Sequence, residues 1–326
     1  MVPRTIRPLS QDWGCFLLDK PMDVLQAFPI RKSKKQKQAF QEAVRSYGER
    51  LGYAVRVEKA PFGARNILFG DPDTAEFLVT AHYDTPARLP FPNFITPQNM
   101  AVYLVYQIGI SLLLCVSAFL LSFLVGRATE NGGFAMLTAY GYLILLLWLM
   151  MAGPANKTNA NDNTSGVITV LETMRTLPDA LRGRVCFVLF DLEEAGLIGS
   201  MSYHAKHKKI ADQQIILNAD CVGDGDEILL IPSKKLQKKY PGLIETWKTL
   251  CFPDGEKSIT VHDRGVCFFP SDQGNFPLGV GIAAFQRKKG IGLYCSRIHT
   301  PKDIICEENN VILIRNYLIR ILEKGK

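Results

Sequence analysis

Two long uncharged stretches constrain this chain more than anything else in it. Ala101 to Val125 runs 25 residues without an acidic or basic side chain, and Phe134 to Gly153 runs another 20. A helix needs roughly 20 apolar residues to cross the hydrocarbon core of a bilayer, so each stretch is long enough. Only Gly126 to Gly133, a short polar turn, separates them. The pattern predicts a transmembrane helical hairpin whose two ends emerge on the same side. The competing reading is a helical pair buried inside a soluble protein. It ranks lower, because core helices rarely avoid charge over such lengths.

The remainder alternates between strand and helix signals. Gln36 to Leu51 has helical spacing, with Phe40, Val44 and Tyr47 on one face. Asn66 to Phe69 and Glu76 to Ala81 read as successive strands, the second a continuous apolar run suited to a sheet covered on both faces. Thr164 to Arg175 reads as a helix, Arg184 to Phe190 as a strand, Leu197 to Lys208 as a helix and Gln214 to Leu217 as a strand. Such alternation implies an α/β protein, a three-layer α/β/α arrangement around a mixed, largely parallel central sheet. The hairpin, residues 98–153, would interrupt it, leaving a catalytic domain in two parts, 1–97 and 154–326.

Charge and cysteine narrow the partners. The net charge of +7 is modest, and much of it sits in Arg31-Lys32-Ser33-Lys34-Lys35-Gln36-Lys37. With no aromatic residue interleaved, that run is expected to be a solvated helix start, and no nucleic-acid partner is expected. None of the eight cysteines forms a C-x-x-C pair. Cys15, Cys115, Cys186, Cys221, Cys251, Cys267, Cys295 and Cys306 are expected to be small core hydrophobes in a reducing compartment. Met1 to Ser10 lacks the apolar stretch of a secretory signal. About a hundred residues with 14 Lys and Arg precede the first apolar run, so the catalytic domain is expected to face the cytoplasm.

Function in open α/β sheets gathers beyond the carboxyl ends of strands, and acidic and histidine residues stand there. His82-Tyr83-Asp84, Asp191-Leu192-Glu193-Glu194 and Asn218-Ala219-Asp220 each follow a predicted strand, Asp162 precedes a helix, and His299 follows Ile291 to Tyr294. Each alone has a plainer use. A His-x-Asp is often a structural pair, Asp162 and Asp220 suit helix caps, Glu193-Glu194 suits a solvated corner, and His299 a surface position. Together they are the inventory of two-metal hydrolysis: imidazoles and carboxylates for zinc-like ions, and a spare glutamate to move a proton. His204, His207 and His262 are expected to be surface or loop residues. No nucleophile elbow and no phosphate-binding glycine loop is present.

In order along the chain stand Ala81-His82-Tyr83-Asp84, Asn161-Asp162-Asn163-Thr164-Ser165-Gly166, Glu193-Glu194-Ala195-Gly196-Leu197-Ile198-Gly199-Ser200, Asn218-Ala219-Asp220, Ser271-Asp272-Gln273 with Phe276, and Ile298-His299-Thr300-Pro301-Lys302-Asp303. With these segments the chain resembles the di-zinc aminopeptidase family of bacterial leucyl aminopeptidases, whose wider kin include glutamate carboxypeptidases and glutaminyl cyclases. The resemblance covers about residues 64–320 apart from the apolar insertion. It implies two Zn2+ per chain. Asp162 would bridge them, Glu194 and His299 would complete one site, and His82 and Asp220 the other. It further implies Glu193 as general base, Asp84 as the carboxylate orienting His82, a tight, strained turn at Asp162-Asn163, and support from Asp272. The implied substrate is a peptide with a free N-terminus.

One departure stands out. Here 80 residues separate His82 from Asp162, far more than in soluble members, and the apolar hairpin fills the gap. It must leave and re-enter the domain at neighbouring points, which sets the site near the membrane surface. Pro90, Pro92 and Pro97 suggest a stiff extended neck. Other readings are a carboxypeptidase, amidase or glutaminyl cyclase of the same superfamily, or a non-catalytic membrane scaffold. The intact ligand set speaks against a one-zinc cyclase and against a scaffold.

Overall fold

A computed structural model describes residues 17–250, 253–254 and 257–326. Met1 to Ser10, Cys15 and Cys251, each given a reading above, lie outside the described residues. The strands are β1 (Val55–Lys59), β2 (Arg65–Phe69), β3 (Phe77–His82), β4 (Val185–Phe190), β5 (Ile215–Ala219), β6 (Glu227–Pro232), β7 (Pro253–Asp254), β8 (Lys257–Val261), β9 (Gly279–Lys288) and β10 (Gly292–Tyr294). The helices are α1 (Val24–Ala27), α2 (Lys34–Arg50), α3 (Met100–Thr129), α4 (Gly132–Ala152), α5 (Gly166–Thr176), α6 (Ile198–Ala211), α7 (Lys234–Lys239), α8 (Pro241–Leu250) and α9 (Glu308–Lys324).

The strands form one sheet in the order β1-β2-β4-β3-β5-β9-β6-β8-β7, with β10 on β9. The central β4, β3, β5 and β9 run parallel. Their neighbours β2 and β6 run antiparallel to them. This is the mixed sheet that the alternation implied, with its parallel pairing concentrated at the centre and antiparallel partners on either side. Side-chain alternation along β3 and β4 builds two cores. Phe77, Val79, Ala81, Val185, Phe187 and Leu189 face the layer of α2, α5, α8 and α9, against Phe40, Leu171, Trp247 and Leu318. Leu78, Cys186, Val188 and Phe190 face the opposite layer, against Tyr203 and Ala211 of α6. Fully burying a large aliphatic or aromatic side chain contributes roughly 1.5–3 kcal/mol. A strand buried on both faces therefore has no position to give to water, and all six residues of β3 and of β4 are buried.

Helix α2 begins where the basic run predicts. Ser33 caps it in a capping box, Gln36 N donating to Ser33 Oγ (3.3 Å) and Ser33 N to Gln36 Oε1 (2.9 Å). The expectation of a solvated run needs correction at two positions. Arg31 is fully buried. It donates to the carbonyls of Tyr83 (2.5 Å) and Phe28 (2.6 Å) and to Thr164 Oγ1 (3.0 Å). Lys37 pairs with buried Asp191 at 2.5 Å. His204 and His207 also differ from free surface residues: they contact Asp212 (2.8 Å) and Glu58 (3.1 Å).

The two apolar stretches form α3 and α4, each long and apolar enough to cross a membrane. Their connection is shorter than the sequence suggests, only Glu130 and Asn131 lying between them. Asn99 and Asn131 cap the two helices by accepting from Val102 N (3.2 Å) and Phe134 N (3.0 Å). Ala118 is the one buried residue of the pair. A buried helical pair in a soluble core is thus not what the chain builds, and both helices remain candidate membrane spans. The proline-containing segment before α3 is extended but not free. It bridges Ala87 to Ala155 and Ile95 to Cys295, and Leu89 N donates to His299 O (2.8 Å).

Candidate metal centre

The parallel pairing of β3 with β4 and β5 lines up three strand ends. His82 ends β3, Glu193 and Glu194 follow β4, and Asp220 follows β5. Asp162 joins them from the turn before α5, and His299 from the loop after β10. All six acidic and imidazole side chains converge. His82, Asp162 and Asp220 form one group of donor atoms, Asp162, Glu194 and His299 a second, and His82, Glu193 and Glu194 a third, each within 4.8 Å.

Asp162 is the hinge of the arrangement, since its two oxygens face opposite ways. Its Oδ1 lies 3.3 Å from His82 Nε2, and its Oδ2 lies 3.2 Å from His299 Nε2. The outer contacts are His82 Nε2 to Asp220 Oδ1 at 3.6 Å and His299 Nε2 to Glu194 Oε2 at 3.5 Å. Ligands about 2.0–2.2 Å from a tetrahedral zinc stand about 3.3–3.6 Å from one another. The donor spacing therefore fits that ion. Glu194 Oε1 and Asp220 Oδ1 are buried without a hydrogen-bond partner, as atoms prepared for an external cation would be.

The electrostatics agree. Burial alone would lower the His82 imidazole, yet Glu193, Asp162, Asp220 and Asp84 raise it well above its ordinary value. Burial and neighbouring carboxylates push Glu193 and Glu194 well above the usual carboxylate range; for Glu194 the leading neighbour is Asp162. Asp162 goes the other way, its burial outweighed by the bonds from His299 and His82. The cluster is short of positive charge.

The surrounding residues fix this geometry. Asp84 Oδ1 lies 3.4 Å from His82 Nδ1. The same carboxylate accepts from Glu193 N (3.0 Å) and Glu194 N (3.2 Å), so it ties the end of β3 to the turn after β4. Around Asp162, the amides of Asn161 and Asn163 stitch the turn to the loop after β5. Gly223 N donates to Asn161 Oδ1 (2.7 Å), Cys221 N to Asn163 Oδ1 (3.3 Å), and Asn163 Nδ2 to Ala219 O (3.0 Å). The Asp162-Asn163 peptide is cis. Two glycines of the shared segments are required by close approach. A Cβ on Gly166 would stand 2.3 Å from Ala219 O, and one on Gly199 would stand 2.3 Å from Asp191 O. Asp272, buried, accepts from Ser200 Oγ at 2.5 Å and is pushed up by burial to about 7.

Sequence reasoning left Asp303 without a role. Its carboxylate accepts from Asn161 N (2.7 Å) and Asp162 N (3.1 Å), so it holds the backbone that aims Asp162. Burial, with Asp162 nearby, lifts it to about 8. The signal was present, since Asp303 closes the His299-Thr300-Pro301-Lys302-Asp303 segment. Three non-glycine residues at the site take left-handed φ: Leu192 (56°), Cys221 (55°) and His299 (62°). Such residues cost of order 1 kcal/mol or more each and gather where function over-determines the backbone.

The model of peptidase family M28 matches residues 149–317, just over half of the chain. The chain belongs to peptidase family M28. It is a hydrolase of the metallopeptidase type, with a metal-binding cluster of histidines and carboxylates. The M28 match begins within the last turn of α4, so His82 and Asp84 lie outside it, and the β3–β4 pairing returns them to the site. Among solved structures, the LapA aminopeptidase of Legionella pneumophila aligns with a TM-score of 0.54 at 13% identity, over 94% of this chain and 70% of its own. A glutaminyl cyclase from Macrostomum lignano aligns with a TM-score of 0.55 at 10% identity, over 100% and 97%. At such identities both show the shared fold. No curated protein matches the chain.

Proposed function

We propose that this M28 protein is a membrane-anchored aminopeptidase that uses two zinc ions to hydrolyse peptides from a free N-terminus. The observation that carries the reading is Asp162, with one oxygen 3.3 Å from His82 and the other 3.2 Å from His299. On this reading His82, Asp162 and Asp220 hold one ion, and Asp162, Glu194 and His299 hold the other. When bound, the ions supply Lewis-acid polarisation of the scissile carbonyl and an acidified water.

The chain's own groups do the rest. Glu193 is the candidate base. It shares a donor group with His82 and Glu194, so its carboxylate stands beside the ligand atoms, where it can accept a proton and then return it to the leaving amine. Asp84 fixes the tautomer of His82 and, through the two backbone N–H bonds, the height of Glu193. The carboxylate surplus complements the ammonium of a free α-amino group, which favours an exopeptidase. The aminopeptidase fold of LapA and the Glu193 to Ser200 string support the same reading.

The hairpin, residues 98–153, would anchor the two halves of the catalytic domain, 1–97 and 154–326. Support comes from the apolar, outward-facing surface of α3 and α4. Hydrolysis of a panel of amino-acyl amides and their N-blocked counterparts, with and without chelator, tests the activity. Cleavage of the free-amine set alone, abolished by chelator, is expected. Cleavage of blocked substrates at equal rates would refute an aminopeptidase.

A further inference from the structure

Several cations near the start of α2 and the β1–β2 loop have no carboxylate partner among the described residues. Lys32, Lys34, Lys37, Lys59 and Arg65 line one cleft of about 410 Å3. Its one acidic lining residue, Asp191, is already taken by Lys37 at 2.5 Å. Lys34, Lys59 and Arg65 have no carboxylate partner among the described residues. Between Lys59 and Arg65 the β1–β2 loop raises Phe62, which has a left-handed φ of 56° and is 88% exposed. An aromatic ring held in water on a short turn, flanked by cations, is the composition of a membrane-interface contact.

The fold places this cleft beside the hairpin. Lys32 Nζ donates to Met151 O at 3.3 Å, in the last turn of α4. Strand β2 pairs antiparallel with β4, Ile67 opposite Leu189, so the β1–β2 loop sits at the carboxyl end of the parallel strands. The chain leaves β3 for the hairpin from that same end. Phe62, the five cations and the roots of α3 and α4 therefore lie at one end of the sheet.

We propose that this cleft binds the headgroups of anionic phospholipids in the leaflet where the hairpin ends, with Phe62 entering the boundary of the acyl chains. The inference rests on reading α3 and α4 as a membrane anchor. Ammonium and guanidinium groups donate to the phosphate oxygens, and unpaired cations beside a membrane span are drawn to an anionic surface. An acidic peptide is the other candidate occupant. The lining disfavours it, because none of His82, Asp162, Glu194 or His299 borders the cleft. Together with the hairpin, the contact would fix the height and tilt of the metal centre over the membrane.

The test is native mass spectrometry of the full chain in uncharged detergent, titrated with phosphatidylglycerol or phosphatidylcholine. The wild type is expected to retain phosphatidylglycerol preferentially. Lys34→Gln, Lys59→Gln and Arg65→Gln combined should weaken it about 100-fold, with unfolding temperature unchanged. Phe62→Ala should weaken retention of phosphatidylglycerol as well. Equal retention of both lipids, or an unaffected triple variant, overturns the inference. So does an acidic peptide that displaces the lipid and is hydrolysed more slowly by the triple variant. Alkaline carbonate washing of membranes carrying the wild type tests the anchor separately. Release into the wash refutes the anchor whatever the headgroup preference.

Discussion

Asp303 reaches Asp162 through the backbone rather than the side chain. Its two oxygens accept the N–H groups of Asn161 at 2.7 Å and of Asp162 at 3.1 Å. The carboxylate facing the two histidines is thus positioned by a second carboxylate behind it. Asp303→Ala should leave those N–H groups buried and unpaired, and the Asp162 carboxylate free to tilt. Loss of an outer partner of a metal ligand typically costs about 10–100-fold in metal affinity. Competition with a fluorescent zinc chelator measures it, and unchanged affinity would remove Asp303 from the account.

Glu193→Gln should retain metal and lose turnover by roughly 10²–10⁴-fold. Its neighbour Glu194 provides the control, because Glu194→Gln should lose metal as well. Steady-state kinetics beside metal analysis separates the two. Near-normal turnover in Glu193→Gln would place the proton transfer elsewhere.

The raised carboxyls give a pH dependence with a definite sign. Asp272 at about 7 and Asp303 at about 8 are lifted by burial above their unfolded values, which lie at about 3.9. Such groups bind more protons folded than unfolded. Their stabilising contribution is therefore complete at low pH and is lost as pH rises through about 7 and 8. Glu193 and Glu194 are shifted in the same direction. Chelator-treated protein should melt at a lower temperature at pH 9 than at pH 6. Zinc-loaded protein should depend on pH much less or in the opposite sense, because a bound cation favours the charged carboxylates. Thermal melts of both forms across that range decide it.

Much of the convergence at the candidate site was legible because its chemistry and its strand ends coincide. His82 ends β3, and Glu194 and Asp220 stand just past β4 and β5, strands that apolar runs mark plainly. Other features were hidden. Arg31 sits in a run of lysines, and nothing in one dimension separates a guanidinium enclosed by the Tyr83 and Phe28 carbonyls from one in water. Strand β9 opens Gly279-Val280-Gly281, where small residues weaken the strand signal although a Cβ on Gly279 would stand 2.1 Å from Gln273 O. The left-handed residues Leu192, Cys221 and His299 carry no glycine or asparagine to announce them. Their conformation is imposed by the meeting of distant loops.

The orientation reading gives a further prediction. If α3 and α4 span the membrane as proposed, the two parts of the domain emerge on one side, and the 14 Lys and Arg before α3 oppose translocation under the positive-inside tendency. We expect the domain to face the cytoplasm. Protease added to intact cells or spheroplasts should then spare it and digest it only after lysis. Digestion while a cytoplasmic marker survives would reverse the orientation.

The most direct measurement is the zinc content of purified protein, taken for the wild type and for Asp162→Ala in one titration, with His82→Ala alongside. A carboxylate shared between two ions serves both sites, so its loss should affect both. The account predicts two equivalents in the wild type, close to none in Asp162→Ala and about one in His82→Ala. One equivalent in the wild type, or two retained by Asp162→Ala, would contradict the bridged two-metal centre.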